Sequence, residues 1–273
     1  MKKFVLLMLA LSLAVSMPAF SKAKTAKKTK KKVDPVTALK DRGTFVLGLD
    51  DSFPPLGFRD DNNEIVGYDI DLAKEVAKRM GVNFKAQPID WDAKEMELAT
   101  GKIDCIWNGF TMTKEREEAL SFTKPYLNND QVLVVRNDSG IRTLSDAAGK
   151  IIGLQSGSSA QEAVESNKTF ADSLKDIIYF KENVTALNDL EMGGVDGVVM
   201  DSVVAAYDIQ VSFKPLMLVP EILSNEAYGV AFRKDDVKLR DEVQKILEAM
   251  AEDGTVEAIS NKWFGRDISV IGK

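Results

Sequence analysis

Two short segments of the chain combine small and hydroxyl residues in a pattern that could bind an anion. Gly-Phe-Thr-Met-Thr spans residues 109–113, and Gly-Ser-Ser spans residues 157–159. Each follows a predicted strand and leads into a predicted helix, where backbone N–H groups are free to donate. Ligands bind at the carboxyl ends of strands in open α/β sheets. Two such edges facing each other would form a cleft lined by donors for a carboxylate.

The residues that are missing exclude several other chemistries. The chain has no histidine and one cysteine, Cys105. Ser-His-Asp and Cys-His catalysis therefore have no base, and the commonest metal ligand is absent. Cys105 lies in an apolar run at residues 103–107, and we interpret it as a small buried hydrophobic residue. Without a phosphate loop or a metal-ligand cluster, we expect neither a cofactor nor a metal.

The elements that must position these segments alternate between short β-rich runs and amphipathic helical stretches. The predicted strands cover residues 44–49, 83–89, 103–107, 131–136, 151–155, 177–180, 195–200 and 228–232. The predicted helices cover residues 69–80, 92–100, 144–148, 160–166, 184–192, 201–207 and 237–252. This alternation predicts parallel strands crossed by helices, which is an α/β fold.

Composition and charge restrict the class of protein. Hydrophobic residues make up 45% of the 273, as in globular proteins with a packed core. Residues 1–32 hold nine lysines and no acid, which leaves 27 basic against 42 acidic residues in the remainder. A body with a net charge of about −15 would be repelled by phosphates, so we do not expect it to bind nucleic acid.

The first residues are typical of an export signal. Lys2 and Lys3 precede an apolar run at residues 4–15, and Ala19 and Ser21 supply the small residues of a cleavage site. We predict a signal peptide over residues 1–21, because the run is short for a membrane anchor, which is the alternative. Residues 22–33 form a lysine-rich leader that is either solvated or bound to anionic lipid. With no cysteine for lipid attachment, we expect a soluble periplasmic protein.

Six segments, in order along the chain, carry a family resemblance. They are residues 50–55, 67–73 (Gly-Tyr-Asp-Ile-Asp-Leu-Ala), 108–116, 157–159, 195–201 and 262–265. Together they resemble the periplasmic polar amino-acid-binding proteins, the substrate-binding subunits of ABC importers. The likeness covers about residues 39–267 and includes glutamine-binding and lysine/arginine/ornithine-binding relatives.

The resemblance implies a type II periplasmic-binding-protein-like fold, with two α/β lobes joined by two hinge strands and closing on the ligand. It places residues 34–128 and 224–273 in the first lobe and residues 129–223 in the second. It also implies a monomer that delivers a free amino acid to the permease subunits of an ABC importer.

The family pattern assigns the ligand's α-carboxylate to Arg116, whose planar fork can form two charge-assisted hydrogen bonds. Thr111, through its hydroxyl and its backbone N–H, would complete this cradle with Ser158 and Ser159. The alternatives are structural. Arg116 could pair with neighbouring glutamates on a wet helix, and the two serines could simply cap a helix.

The ligand's ammonium falls to Asp201 and the backbone carbonyl of Gly109, although Asp201 could instead cap the helix that follows it. Phe53 and Trp91 match positions where aromatic rings enclose the ligand's side chain, and core packing is the alternative for both.

Asp50 and Gln155 would contact the distal end of the ligand. Asp50 matches a carboxylate that relatives use to hold an amide or a cation. Gln155 stands where the glutamine-binding relative has a lysine, which weakens a direct transfer of glutamine specificity. The pair could suit a cationic side chain or a carboxamide. Arginine, lysine, ornithine and glutamine therefore all remain candidates.

An enzyme on the same scaffold is the main alternative, since some relatives are periplasmic cyclohexadienyl or arogenate dehydratases. Such a site must balance a second substrate carboxylate and place a general acid. Asp50 and Asp201 are acidic, and Arg116 is the single obvious cation, so a dicarboxylate fits poorly. We expect a binding protein rather than an enzyme. The ligand-sensing domain of a receptor is a third class, for which the sequence offers no signalling segment.

Overall fold

The structure, a computed structural model, describes residues 34–273. The predicted signal peptide (residues 1–21) and leader (residues 22–33) lie outside the described residues. The α-helices are α1 Pro35–Arg42, α2 Tyr68–Met80, α3 Lys94–Ala99, α4 Lys114–Ala119, α5 Ser159–Ser166, α6 Lys168–Ser173, α7 Asn183–Met192, α8 Ser202–Ser212, α9 Val237–Glu252 and α10 Thr255–Phe264. Short 3₁₀ helices cover Trp91–Ala93 and Leu144–Ala147.

The strands complete the element order. They are β1 Thr44–Leu49, β2 Ser52–Phe53, β3 Gly57–Arg59, β4 Ile65–Val66, β5 Asn83–Pro88, β6 Cys105–Ile106, β7 Leu120–Phe122, β8 Leu127–Arg136, β9 Ile151–Gln155, β10 Asp176–Phe180, β11 Gly197–Asp201, β12 Leu216–Tyr228 and β13 Ala231–Arg233.

Helix α2 illustrates how local sequence sets an element. Its apolar residues recur every three or four positions and are buried. Asp69 and Asp71 occupy its first turn and Lys78 and Arg79 its last, which complements the helix dipole. Gly81, at a φ of 74°, ends the helix in the left-handed region that glycine adopts without strain. The prediction of a helix over residues 69–80 is confirmed.

Two five-stranded sheets form the cores of two lobes. The first has the order β5-β1-β6-β13-β7, in which β13 alone runs antiparallel to its neighbours. The second has the order β10-β9-β11-β8-β12, in which β8 runs antiparallel to both β11 and β12. Helices pack against both sheets, and a small sheet of β2, β3 and β4 joins the first lobe. The predicted α/β fold with two lobes is confirmed, with mixed rather than purely parallel sheets.

Strands β8 and β12 join the lobes. They pair antiparallel from Leu127 opposite Tyr228 to Arg136 opposite Leu216. An isolated bridge between Thr111 and Tyr228 ties the first-lobe end of this pair to the loop after β6. The predicted lobe boundaries, after residues 128 and 223, fall inside these two strands and stay a prediction.

Two strand predictions need correction. The run at residues 103–107 forms a strand only over Cys105–Ile106. The flanking residues Asp104 and Trp107 each donate one backbone hydrogen bond to a carbonyl of β1 but do not extend the strand. The run at residues 228–232 is divided, since Tyr228 ends β12 and the next strand begins at Ala231. At residues 229–230 the chain passes from the sheet of the second lobe to the sheet of the first. The hydrophobic pattern of the sequence does not reveal such a change.

Buried apolar side chains pack against both sheets. Cys105 is fully buried and unpaired, as interpreted from its apolar neighbours, and burial raises the pKa of its thiol well above the ordinary value. Among residues 34–273, no helix has the length and apolar character needed to cross a membrane.

Candidate ligand-binding site

A narrow cavity lies between the two lobes. The first lobe lines it with residues that follow β1, β5 and β6, and the second with residues at or just after the ends of β9 and β11. The lining residues are Asp50, Phe53, Trp91, Asn108, Gly109, Thr111, Arg116, Gln155, Ser158, Ser159 and Asp201. All ten residues that the sequence singled out therefore meet around one space, and Asn108 is an addition.

Arg116 provides a half-buried cation at one end of the cavity. Its helix α4 begins after Thr113, whose hydroxyl accepts a hydrogen bond from the Arg116 backbone N–H. The guanidinium donates to the carbonyl oxygens of Thr111 at 3.1 Å and Gly157 at 3.2 Å, and lies 4.3 Å from the Phe110 ring centroid. Burial lowers its pKa, yet arginine stays charged.

The partners of Arg116 are carbonyls and a ring rather than carboxylates. Glu115 and Glu117, its neighbours on α4, form no ion pair with it in the described part of the chain, so the wet-helix alternative is wrong. A half-buried guanidinium whose hydrogen-bond partners are all neutral would gain from an anion placed in the cavity.

Asp201 provides a buried carboxylate on the opposite wall. Its Oδ1 atom accepts hydrogen bonds from the Tyr228 hydroxyl at 2.6 Å, Asn129 Nδ2 at 2.7 Å and Gln131 Nε2 at 3.1 Å. Its side chain does not cap α8, which rules out the capping alternative. Burial raises the pKa of Asp201 to about 7, with a further contribution from the charge of Glu226.

Asp50 and Gln155 form a fixed pair across the cavity. Gln155 Nε2 donates to Asp50 Oδ2 at 2.7 Å and to the Lys181 carbonyl at 2.8 Å, while its Oε1 accepts from Asn183 at 3.0 Å. Asp50 Oδ1 accepts from the Ser52 backbone N–H at 2.9 Å. Burial raises the pKa of Asp50 to about 6. No cation of the described residues forms an ion pair with this carboxylate.

The turn at Gly109 leaves room for the aromatic side chain of Phe53 at the cavity. Gly109 has a φ of 55°, and a Cβ there would lie 2.6 Å from Leu56 Cδ1 and 3.0 Å from Phe53 Cε1. A larger residue would displace the Phe53 ring that lines the cavity. Trp91 meets Phe110 edge-to-face at 5.7 Å between ring centroids, so one edge packs while the ring also borders the cavity.

The segment at residues 67–73 acts on the site indirectly. Asp69 Oδ2 accepts hydrogen bonds from the Gly109 backbone N–H at 2.8 Å and from the Tyr126 hydroxyl at 2.9 Å. Burial raises the pKa of Asp69 to about 7. This side chain therefore fixes the turn that carries Gly109 rather than lining the cavity.

Three hydroxyls lie at the cavity with protons already donated to protein acceptors. Thr111 donates to Glu226 Oε2 at 2.8 Å, and Ser158 donates to the Gln155 carbonyl at 2.7 Å. Ser159 Oγ is within hydrogen-bond distance of Thr111 Oγ1 at 3.0 Å and Glu226 Oε2 at 3.1 Å. Neither serine hydroxyl caps α5, so the capping alternative is wrong. In this arrangement a carboxylate would be met by Arg116 and backbone N–H groups.

Sequence reasoning missed Glu226 and Asn108. Glu226 Oε2 accepts hydrogen bonds from both lobes, through Thr111 and Ser159, and from Gln131 at 3.1 Å on the hinge strand β8. Asn108 Oδ1 accepts from the Asp50 backbone N–H at 3.0 Å. Asn108 sits inside a segment used for the family resemblance, so its position was a usable signal. Glu226 had none, because it reaches the site through strand pairing.

Comparisons with known proteins place the chain among binding proteins. Residues 45–266 match the family model of bacterial extracellular solute-binding proteins, family 3. The L-cystine-binding protein of Escherichia coli (strain K12) is 30% identical over 233 residues, with coverage of 85% of this chain and 86% of that protein. An ABC transporter arginine-binding protein of the same strain is 31% identical over 223 residues, covering 80% and 89%.

Two solved structures add to this likeness. An ABC uptake transporter substrate-binding protein from Streptococcus pneumoniae, crystallised with histidine, is 35% identical with a TM-score of 0.84, covering 87% of this chain and 99% of that chain. An ancestral amino-acid-binding protein described as a precursor of cyclohexadienyl dehydratase is 32% identical with a TM-score of 0.77, covering 84% and 99%.

Proposed function

Because the chain belongs to the bacterial extracellular solute-binding proteins of family 3, we propose that it binds a free polar L-amino acid between its lobes for an ABC importer. The observation that carries this proposal is the arrangement of buried charge in the cavity. Within residues 34–273, Arg116 has no carboxylate partner, and Asp201 and Asp50 have no cation partner. An α-amino acid brings a carboxylate and an ammonium at a fixed separation, which suits Arg116 and Asp201.

A cationic side chain fits the distal end best. When Asp50, Asp201 and Arg116 are all ionised, their net charge is −1. An amino acid with a cationic side chain has a net charge of +1, which balances it. Gln155 cannot turn its amide toward the ligand without losing its bonds to Lys181 and Asn183, so Asp50 presents a fixed carboxylate. Arginine, lysine and ornithine are therefore preferred, and glutamine is the weaker candidate. Phe53 and Trp91 would flank the side chain.

On this proposal the first lobe comprises residues 34–128 and 224–273 and the second residues 129–223, and closure about β8 and β12 encloses the ligand. The mature protein is exported to the periplasm as a monomer, and its closed form is the one that the permease subunits recognise. Similarity to an arginine-binding protein of an ABC transporter supports this assignment.

Dehydratase activity is the second candidate, and the likeness to a precursor of cyclohexadienyl dehydratase is the observation in its favour. Two buried carboxylates in the cavity oppose it, because prephenate and arogenate bring an additional carboxylate that would lie near Asp50 or Asp201.

A thermal-shift panel on the refolded mature protein tests both candidates. It covers the common L-amino acids, ornithine, citrulline and prephenate, and a ligand at 100 times its dissociation constant should add about 2.7 kcal/mol to the folded state. Stabilisation by arginine, lysine or ornithine is the expected result. Stabilisation by no amino acid, together with turnover of prephenate, would replace binding by catalysis.

A further inference from the structure

Lys94 is a buried lysine that does not line the ligand cavity. It lies at the start of α3 in the first lobe, and only 3% of its surface is exposed, although lysine is almost never buried without a partner. Its Nζ atom donates to the Gly157 carbonyl of the second lobe at 2.9 Å and to the Trp91 carbonyl of its own lobe at 3.1 Å. The closest carboxylate oxygen, on Glu95, is 3.8 Å away.

The acceptor in the second lobe is built for close contact. Gly157 has a φ of 67°, in the region that favours glycine. A Cβ on Gly157 would lie 2.7 Å from Asp92 Oδ1 and 3.3 Å from Lys94 Nζ. The turn between β9 and α5 therefore packs directly on the first lobe, and its carbonyl is the atom that Lys94 reaches across the cleft.

Two cations converge on this one carbonyl oxygen. Arg116 Nη2 donates to it at 3.2 Å, so the Lys94 and Arg116 nitrogens lie within about 6 Å of each other, where like charges repel. Burial lowers the pKa of Lys94, the charge of Glu95 opposes this shift, and the charge of Arg116 adds to it. An anion bound at Arg116 would offset this repulsion.

We propose that Lys94 is a closure residue: its ammonium joins the two lobes at Gly157, and this contact becomes favourable when the ligand's carboxylate lies against Arg116. The proposal rests on the function proposed above and adds a residue to it. Lys94 also holds the Trp91 carbonyl and lies 5.1 Å from the Trp91 ring centroid. One side chain thus connects an aromatic wall of the cavity to the contact between lobes.

A contact made on closure acts on ligand release more than on capture. Lys94→Met keeps the length of the side chain and removes the donor. Hydrogen bonds to charged groups contribute enough that we expect ligand dissociation to accelerate about tenfold or more, with the association rate within about twofold of wild type. Lys102→Met is the matched control, since Lys102 follows the same helix and pairs with Glu97 on the surface at 2.8 Å.

The test uses stopped-flow binding of the amino acid that gives the largest thermal shift with the wild type, and small-angle X-ray scattering with and without it. Lys94→Met should show faster release and less compaction on binding, whereas Lys102→Met should match the wild type. Unchanged release and compaction in Lys94→Met would overturn the proposal. So would a loss of affinity that resides entirely in the association rate.

A second measurement uses the wild type alone and does not depend on how the variant folds. Lysines are acetylated with a water-soluble reagent, and the peptides carrying Lys94 and Lys102 are quantified by mass spectrometry. Ligand should protect Lys94 and leave Lys102 unchanged, and equal labelling of Lys94 with and without ligand contradicts the proposal. If no amino acid stabilises the wild type, both the proposed function and this inference are wrong. If an amino acid stabilises the wild type but Lys94→Met releases it at the wild-type rate with wild-type compaction, this inference alone is wrong.

Discussion

Replacing Asp50 with asparagine tests the assignment of a cationic ligand. The substitution keeps the shape of the side chain and removes its charge. Both Asp50 oxygens accept hydrogen bonds, from Ser52 N and Gln155 Nε2. An asparagine amide would therefore face one of these donors with its own N–H group. Gln155 cannot adapt by flipping, because Lys181 and Asn183 fix both ends of its amide.

The magnitude depends on the ligand. For arginine, the variant leaves a buried cation without its carboxylate, which costs about 3–5 kcal/mol, or an affinity loss of about 200- to 5,000-fold. For glutamine, the variant exchanges a hydrogen bond to a charged acceptor for one to a neutral acceptor, a change of about tenfold or less. The conflict with the donors affects both ligands equally, so the difference between them measures the charge of Asp50.

Isothermal titration calorimetry with arginine and glutamine provides the assay. Asp51→Asn is the control, because Asp51 is adjacent, carries the same charge and pairs outside the cavity with Arg59 at 2.6 Å. Arginine affinity should collapse in Asp50→Asn and persist in Asp51→Asn. Equal losses for arginine and glutamine, or an arginine affinity within about threefold of wild type, would refute the assignment of Asp50 to the ligand's cationic end.

The remaining predictions concern the two ends of the amino acid and their protonation. Arg116→Met should cost about 3–5 kcal/mol of binding by calorimetry, without lowering the melting temperature of the unliganded protein; retained affinity would contradict the carboxylate assignment. The pKa of about 7 at Asp201 predicts that ligand affinity falls about tenfold from pH 8 to pH 6, because protonation removes the partner of the ammonium. Tyr228→Phe removes a donor to Asp201 and should move the midpoint of this pH profile upward, whereas Glu226→Gln removes a nearby charge and should move it downward; a shared direction would be inconsistent with the geometry. In contrast, the unliganded protein should melt at higher temperature as pH falls from 8 to 5.5. Buried carboxyls with raised pKa values bind more protons folded than unfolded, so their ionisation destabilises the fold as pH rises, and differential scanning calorimetry across pH checks this sign.

Elements with local signals were predictable, and pairings between distant segments were not. The bounds of α2, α9, β1 and β9 follow from apolar periodicity and glycine stops, which depend on neighbouring residues. The divided strand at residues 228–232 was missed, because the same apolar run serves two sheets. The ten candidate site residues came from positions matched to a known family, and they do line one cavity. Their contacts with a ligand stay a prediction.

The sequence by itself determined which side chains stand at the carboxyl ends of the strands, and it excluded histidine-dependent chemistry. Only the tertiary structure brought the hydroxyl oxygens of Thr111 and Ser159 within hydrogen-bond distance of Glu226. Thr111 and Glu226 are 115 positions apart along the chain. Nothing in the local sequence distinguishes Lys94 from a surface lysine. In the structure, its Nζ atom lies 2.9 Å from the Gly157 carbonyl oxygen of the second lobe. Such contacts arise when two lobes pack together, so their free energy is not encoded in any single segment.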